Sequence, residues 1–323
     1  MNNFEHHSVT TNQEALDLMA RDAGARIVAG GTDLLVLMKE GVEQPPTLID
    51  IKQVRELAGV ETSAGGLRLG ALTTLTELEE SADVHRDYTA LAEAAKVAAS
   101  PQLRNMATVG GNLLQRPRCW YFRSDFNCWL KGGDTCYAAQ GENHHHAIFQ
   151  AGPCVAVHPS DLAPALIALE ASVEITGPGG ERSVLVEDFL RDPTADRRIE
   201  HDLQPGELIT AVVAPSGPEA ARSTYLKAME RAAWAFALVS VAVRLTLEGG
   251  EVSDVRIVLG GVANTPQRAV EAERVLIGRQ AGVEAFDLAA QSAVEGARAL
   301  QHNGYKITLA RNLVGRALTQ AAG

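Results

Sequence analysis

"ARIVAGGTDLLVLMKEG", residues 25–41, runs from a short apolar strand through a Gly-Gly-Thr-Asp turn into a helical stretch. A strand that passes through two glycines into a helix leaves several backbone N–H groups unpaired and pointing one way. Such a turn can cradle a pyrophosphate without any lysine. The motif is neither GxGxxG nor a Walker loop, and a plain tight turn explains it equally well.

The flanking sequence continues the alternation. "NQEALDLMARD" (residues 12–22) carries apolar residues at helical spacing, with Thr10 or Asn12 available as N-cap, and "TLIDIK" (residues 47–52) reads as a short buried strand. "GGLRLGALTTLTELEES" predicts a strand around Leu67–Leu69 and a helix capped near Thr73 or Thr74, and a further helix is expected over Tyr88–Ser100. "MATVGGN" (residues 106–112) supplies a second glycine pair, with Thr108 and Asn112 able to bond a phosphate or ribose or to cap their own loop. After residue 150, "VAVHPSDLAPALIALEA" predicts a strand and then a helix, with Asp161 at its start as N-cap or as acceptor for a ribose hydroxyl. "SVEITGPGGERSVLVEDF" is a hairpin. From about Pro215 the texture changes to two long antiparallel strands joined by "EGGE", followed by helices over Pro266–Ile277 and Val283–Ala299 and in "ITLARNLVGRAL".

The net charge is −11 and there is no Lys/Arg run, which argues against nucleic acid or an anionic membrane as partner. No apolar run reaches membrane-spanning length, and the N-terminus lacks the pattern of a signal peptide. The cytoplasm is therefore expected, with export on a signal-bearing partner as the alternative.

All four cysteines, Cys119, Cys128, Cys136 and Cys154, fall in one irregular segment rich in Gly, Asn, His and aromatic residues. Their spacings are C-x8-C, C-x7-C and C-x17-C, without the short pairs of a zinc knuckle. An iron–sulfur cubane accepts thiolates from dispersed loop positions, and Trp120, Tyr121, Phe122 and Trp129 would shield it. Zinc and four unligated buried cysteines are the other readings. His144–His146 form a solvated run that could add ligands. No nucleophile motif or metalloprotease motif is present.

"AGGTDLL", "LRNMATVGGNL", "SDLAPAL", "YLKAMERAAWAFALVSVAV" and "VLGGVANTPQRA" together resemble the FAD-binding subunits of the molybdenum hydroxylases, the xanthine dehydrogenase and aldehyde oxidase family. The likeness spans nearly the whole chain, with the motifs in family order. It implies an α+β fold: a vanillyl-alcohol-oxidase-type FAD domain of two α/β subdomains (residues 1–60 and 61–214), then a C-terminal domain (215–323) of antiparallel sheet packed with helices. It implies that Ile27, Val28, Ala29, Gly30, Gly31, Thr32, Asp33 and Leu34 hold the FAD pyrophosphate. Thr108, Gly111 and Asn112 would contact the diphosphate and flavin side, Asp161 the adenosine portion, and Lys227 would lie near the flavin. Without the resemblance, Lys227 reads as a solvated strand lysine; Trp234 and Phe236 could line the face over the flavin, with core packing as the favoured reading. The cysteine segment, about 116–156, resembles the insertion of a subset of the bacterial aldehyde oxidoreductase or 4-hydroxybenzoyl-CoA reductase type, which implies one 4Fe–4S cluster on Cys119, Cys128, Cys136 and Cys154.

The resemblance further implies a heterotrimer with a molybdopterin-containing large subunit and a 2Fe–2S small subunit, passing electrons to an external acceptor. A self-sufficient flavin oxidase and a zinc-structured interaction module are the alternatives.

Overall fold

The computed structural model describes residues 1–218 and 220–323. Three sheets follow one another along the chain. The first is parallel, with β1 (Glu5–Ser8), β2 (Arg26–Val28) and β3 (Thr47–Asp50) in the order β1-β3-β2. Helix Asn12–Arg21 makes the first crossover and helix Leu34–Lys39 the second, because parallel neighbours cannot be joined by a tight turn. The first helix is capped by Thr11, whose Oγ1 accepts from Glu14 N, rather than by either neighbour expected from the sequence.

The second sheet is antiparallel: β4 (Val60–Ser63), β5 (Gly66–Gly70), β6 (Ser172–Gly177), β7 (Gly180–Leu185) and β8 (Leu208–Pro215), ordered β4-β5-β8-β6-β7. Between β5 and β6 the chain leaves the sheet for all of residues 71–171. That excursion carries helix Leu75–Glu80, started by a reciprocal Thr74–Glu77 capping box, then helix Thr89–Val97, and finally helix Leu162–Ala168. The expected strand before this last helix does not form. Its polar backbone is used by loops instead, with Ala147 N donating to Val155 O and His158 N to Ala263 O.

The third sheet has the order β12-β11-β10-β9, from β9 (Arg222–Ala228), β10 (Val239–Glu248), β11 (Glu251–Gly260) and β12 (Gln267–Arg268). The "EGGE" turn joins β10 to β11 with Gly249 at φ 60° and Gly250 at φ 86°, the paired left-handed geometry that fits a two-residue hairpin to twisted strands. Instead of two long strands, this region holds three, because residues 229–238 leave the sheet between β9 and β10. The first C-terminal helix begins only at Val270, since Gln267 and Arg268 pair with β11. The second ends at Ser292, well short of Ala299, and the third is Tyr305–Ala322.

Helices Thr89–Val97 and Leu162–Ala168 lie between the second and third sheets, and one core of Leu, Val and Ala side chains takes Leu67, Leu91 and Leu166 together with Tyr225, Ala242 and Val258 of the third sheet. The other face of the third sheet packs on the C-terminal helices. No helix among the described residues is long and apolar enough to cross a membrane.

The first and second lobes meet at Gly30. A Cβ there would sit 1.7 Å from the carbonyl oxygen of Met106. Backbone cannot yield as a flexible side chain does, so Gly30→Ala is expected to lower unfolding stability by more than about 2 kcal/mol. Gly65→Ala, whose added methyl meets only Ser63 Oγ at 3.6 Å, should be close to neutral. Urea unfolding of the two variants checks this, and equal midpoints would count against it.

Candidate functional site: a cleft between two glycine loops, beside a cysteine cavity

The first glycine loop leaves β2 after Val28 and turns at Gly31, which has φ 69°. Within the protein, the N–H groups of Gly31, Thr32 and Asp33 find no acceptor among the described residues. Val28 and Leu34 pack inward with Met38 and Leu48, and Ile27 and Ala29 rest on a neighbouring cluster, so these four hold the turn by burial.

The second loop faces the first. Thr108 Oγ1 accepts from Gly111 N and caps the short helix Val109–Leu113, and Gly110 N bonds Ala71 O. The Asn112 amide oxygen accepts from Ser160 Oγ at 2.5 Å. Between the loops lies a cleft of about 90 Å³ that opens to solvent. Thr32 and Asp33 line it from the first lobe, Gly111, Asn112 and Asp161 from the second, and Trp234 and Phe236 from the third. Of the cradle residues expected from the sequence, the structure thus brings Thr32, Asp33, Gly111, Asn112 and Asp161 to the lining of one cleft. Gly31 makes the turn of the first loop, Thr108 caps the second, and Lys227 holds Asp161.

Asp161 sits at the start of its helix but does not cap it. Ser160 Oγ accepts from Ala163 N instead. The Asp161 carboxylate receives the Tyr225 hydroxyl at 2.7 Å and the Lys227 ammonium at 2.8 Å. Burial pushes this carboxyl above its ordinary range, opposed by Lys227 and Tyr225. Lys227 is no solvated lysine: its side chain is 1% exposed, and Nζ also donates to Val97 O.

Asp33 is committed in a similar way. Its carboxylate accepts from Arg116 N at 2.8 Å, Arg118 Nη1 at 2.6 Å and Arg123 Nη2 at 2.8 Å. All three donors belong to the start of the cysteine segment. Arg118, the residue before Cys119, is a site residue that the sequence reading does not single out. It lines the cleft, lies over the Phe236 ring, and leaves its buried Nε without a protein partner.

Trp234 and Phe236 are not core residues. They are 62% and 47% exposed at the cleft mouth. Trp234 and Ala99 both adopt left-handed backbone, at φ 52° and 50°, and Trp234 N donates to Ala99 O. Strained non-glycine residues of this kind persist where surrounding contacts over-determine them, commonly at ligand clamps. Sequence periodicity carries no signal for such a feature.

All four cysteines face one small cavity, walled also by Tyr121, Phe122, Trp129 and Tyr137. The wall contains no carboxylate. The neighbouring thiols of Cys136 and Cys154 shift one another, Cys136 down and Cys154 up, and burial pushes Cys119 up to about 11. Among the described residues no three His, Cys, Asp or Glu side chains close around a single ion. A tetrahedral zinc site would need its thiolates within about 4 Å of one another. The histidine run divides: His144 is exposed and His145 half-buried, whereas His146 is buried, with Nε2 at 3.2 Å from Cys119 Sγ.

Residues 2–217 match the family described as the FAD binding domain in molybdopterin dehydrogenase, and residues 224–321 the CO dehydrogenase flavoprotein C-terminal domain. The chain is 41% identical to the aldehyde oxidoreductase FAD-binding subunit PaoB of Escherichia coli, over 99% of both chains. It is 30% identical to the carbon monoxide dehydrogenase medium chain of Hydrogenophaga pseudoflava, over 98% of this chain and 96% of that one. Carbon monoxide dehydrogenase from the same organism also provides a solved structure that superposes with a TM-score of 0.79 at 29% identity, covering 99% of this chain and 97% of the other. The chain therefore belongs to the FAD-binding subunits of the molybdenum hydroxylases, and its α+β fold is theirs. The unpartnered N–H groups of the first loop and the three-sided cleft fit FAD.

Two predictions follow from these buried charges. Asp161→Asn leaves the Lys227 ammonium buried without a counter-charge and should cost about 3–5 kcal/mol of stability. Adding Lys227→Met should recover part of that loss in a double-mutant cycle, and strict additivity would refute the coupling. The second concerns pH. His158 and His201 accept backbone N–H bonds at Nδ1, and burial depresses them to about 4 and about 3. Groups kept neutral in this way stabilise the fold above the unfolded histidine value, and lose that contribution as pH falls toward the folded values, on the order of 3 kcal/mol each. Unfolding midpoints should fall between pH 6.5 and 4, less steeply in a His201→Phe variant.

Proposed function

We propose that this chain is the electron-transfer subunit of a heterotrimeric molybdenum hydroxylase that oxidises an aldehyde. In this reading it binds FAD in the cleft and one 4Fe–4S cluster on Cys119, Cys128, Cys136 and Cys154. The observation that carries the reading is a shared wall: Arg118 lines the cleft, and the next residue, Cys119, lines the cysteine cavity. The aldehyde rests on the likeness to PaoB. The cavity fits a cluster by its donor set, four thiols from dispersed loop positions inside an aromatic shell without carboxylates.

When bound, FAD supplies two-electron chemistry and the iron–sulfur centre one-electron transfer. The protein residues position and insulate. The N–H groups of Gly31, Thr32 and Asp33 would donate to the phosphate oxygens. The Asp33 carboxylate, neutralised by Arg118 and Arg123, does not repel them. Asp161 and Lys227 hold β9 against the second lobe, which keeps residues 229–238 over the cleft. Trp234 and Phe236 limit water at its mouth. Hydroxylation of the organic substrate belongs to a molybdopterin-containing large subunit, and a small 2Fe–2S subunit relays electrons to this chain. In this reading an external acceptor would be the final oxidant of the complex. We place the complex in the cytoplasm.

Purified without oxygen, the protein should show flavin bands over a broad brown absorbance and contain about four irons per chain. Cys128→Ser should remove the brown component and keep the flavin. A colourless protein that takes up no added FAD would overturn the proposal, and flavin with zinc in place of iron would overturn its cluster half.

A further inference from the structure

We propose that His146 is a positioning residue of the cysteine centre: its imidazole donates an N–H to Cys119 Sγ and thereby raises the reduction potential of the cluster those cysteines hold. The inference rests on the 4Fe–4S reading above.

The geometry is specific to this one histidine. Nε2 lies 3.2 Å from Cys119 Sγ, while the other ring nitrogen is buried and has no partner among the described residues. A metal-bound thiolate can only accept, so the ring proton of that pair must sit on Nε2. Backbone N–H groups of Tyr121 and Phe122 also face Cys119, and His146 adds a side-chain donor from a distant part of the loop.

The ring does not reach this position by chance packing. The carbonyl of His146 accepts from Asn303 Nδ2 at 3.1 Å and from Lys306 Nζ at 2.9 Å. Lys306 also donates to His145 O at 3.2 Å and Gly261 O at 2.6 Å. Asn303 and Lys306 are both fully buried. An ammonium buried against three carbonyls, with no carboxylate partner among the described residues, is a costly arrangement. Helix packing alone would be served as well by an apolar side chain. What the ammonium adds is a fixed backbone position for residues 145–146, and so a fixed aim for the ring. A hydrogen bond to a ligand sulfur favours the more negative, reduced state of a cluster.

The test uses the complex, purified anaerobically as wild type, His146→Leu and His146→Gln, with iron counted and the cluster midpoint measured by EPR-monitored redox titration. His146→Leu is expected to keep its iron and shift the reduction equilibrium toward the oxidised form by about tenfold, about 59 mV for a one-electron couple. His146→Gln, whose amide N–H can replace Nε2, should stay near wild type. An unchanged midpoint in an iron-replete His146→Leu protein would overturn the inference. So would iron loss in both variants, which would mark a packing or ligand role. Wild-type protein without iron would instead remove the cluster reading itself, so the two failures are distinguishable.

Discussion

The cleft depends on how closely two backbones approach. Gly30 lies so near the Met106 carbonyl that no side chain fits between them. This contact brings the turn after β2 against the loop before helix Val109–Leu113, and the unpaired N–H groups of Gly31, Thr32 and Asp33 are presented where the lobes meet. The glycine is needed for contact between lobes as much as for any approach by a ligand. A pair of glycines after a strand therefore has two physical readings, and here one residue serves the packing while its neighbour, in the left-handed region, makes the turn.

Local signals were readable where local forces decide. Thr74 and Glu77 announce a capping box, and two glycines between apolar runs announce a hairpin. The cores follow from apolar periodicity. What the sequence hides are interactions between segments far apart in it. Asp161 reads as a helix cap and Lys227 as a solvated lysine, yet the two bury each other across 66 residues. "VAVH" has the composition of a strand, but its hydrogen bonds go to the cysteine loop and to Ala263. The helix expected to reach Ala299 stops at Ser292, and Arg298 N bonds Ile148 O instead. Trp234 has the apolar character of a core residue and lies exposed at the mouth of the cleft.

The cysteine segment lacks periodicity because other lobes give it its shape. Arg198 donates to Trp129 O and Gly133 O and lies over the Trp129 ring. Asp33 gathers Arg116, Arg118 and Arg123 at its start. Each anchor satisfies polar groups that an irregular buried backbone would otherwise leave unpaired. The segment is thus tied to the first glycine loop at one end and to the C-terminal domain at the other, and the two candidate cofactor positions share supporting residues.

The clamp on His146 has a consequence for biosynthesis. Asn303 and Lys306 are separated by 156 to 161 residues from the carbonyls of residues 145–147 that they hold, and closing contacts so distant in sequence is intrinsically slow. During translation the four cysteines leave the ribosome long before the lysine that pins their loop. Until Lys306 has been made, the carbonyls of His145 and His146 lack the donor that holds them in the folded protein.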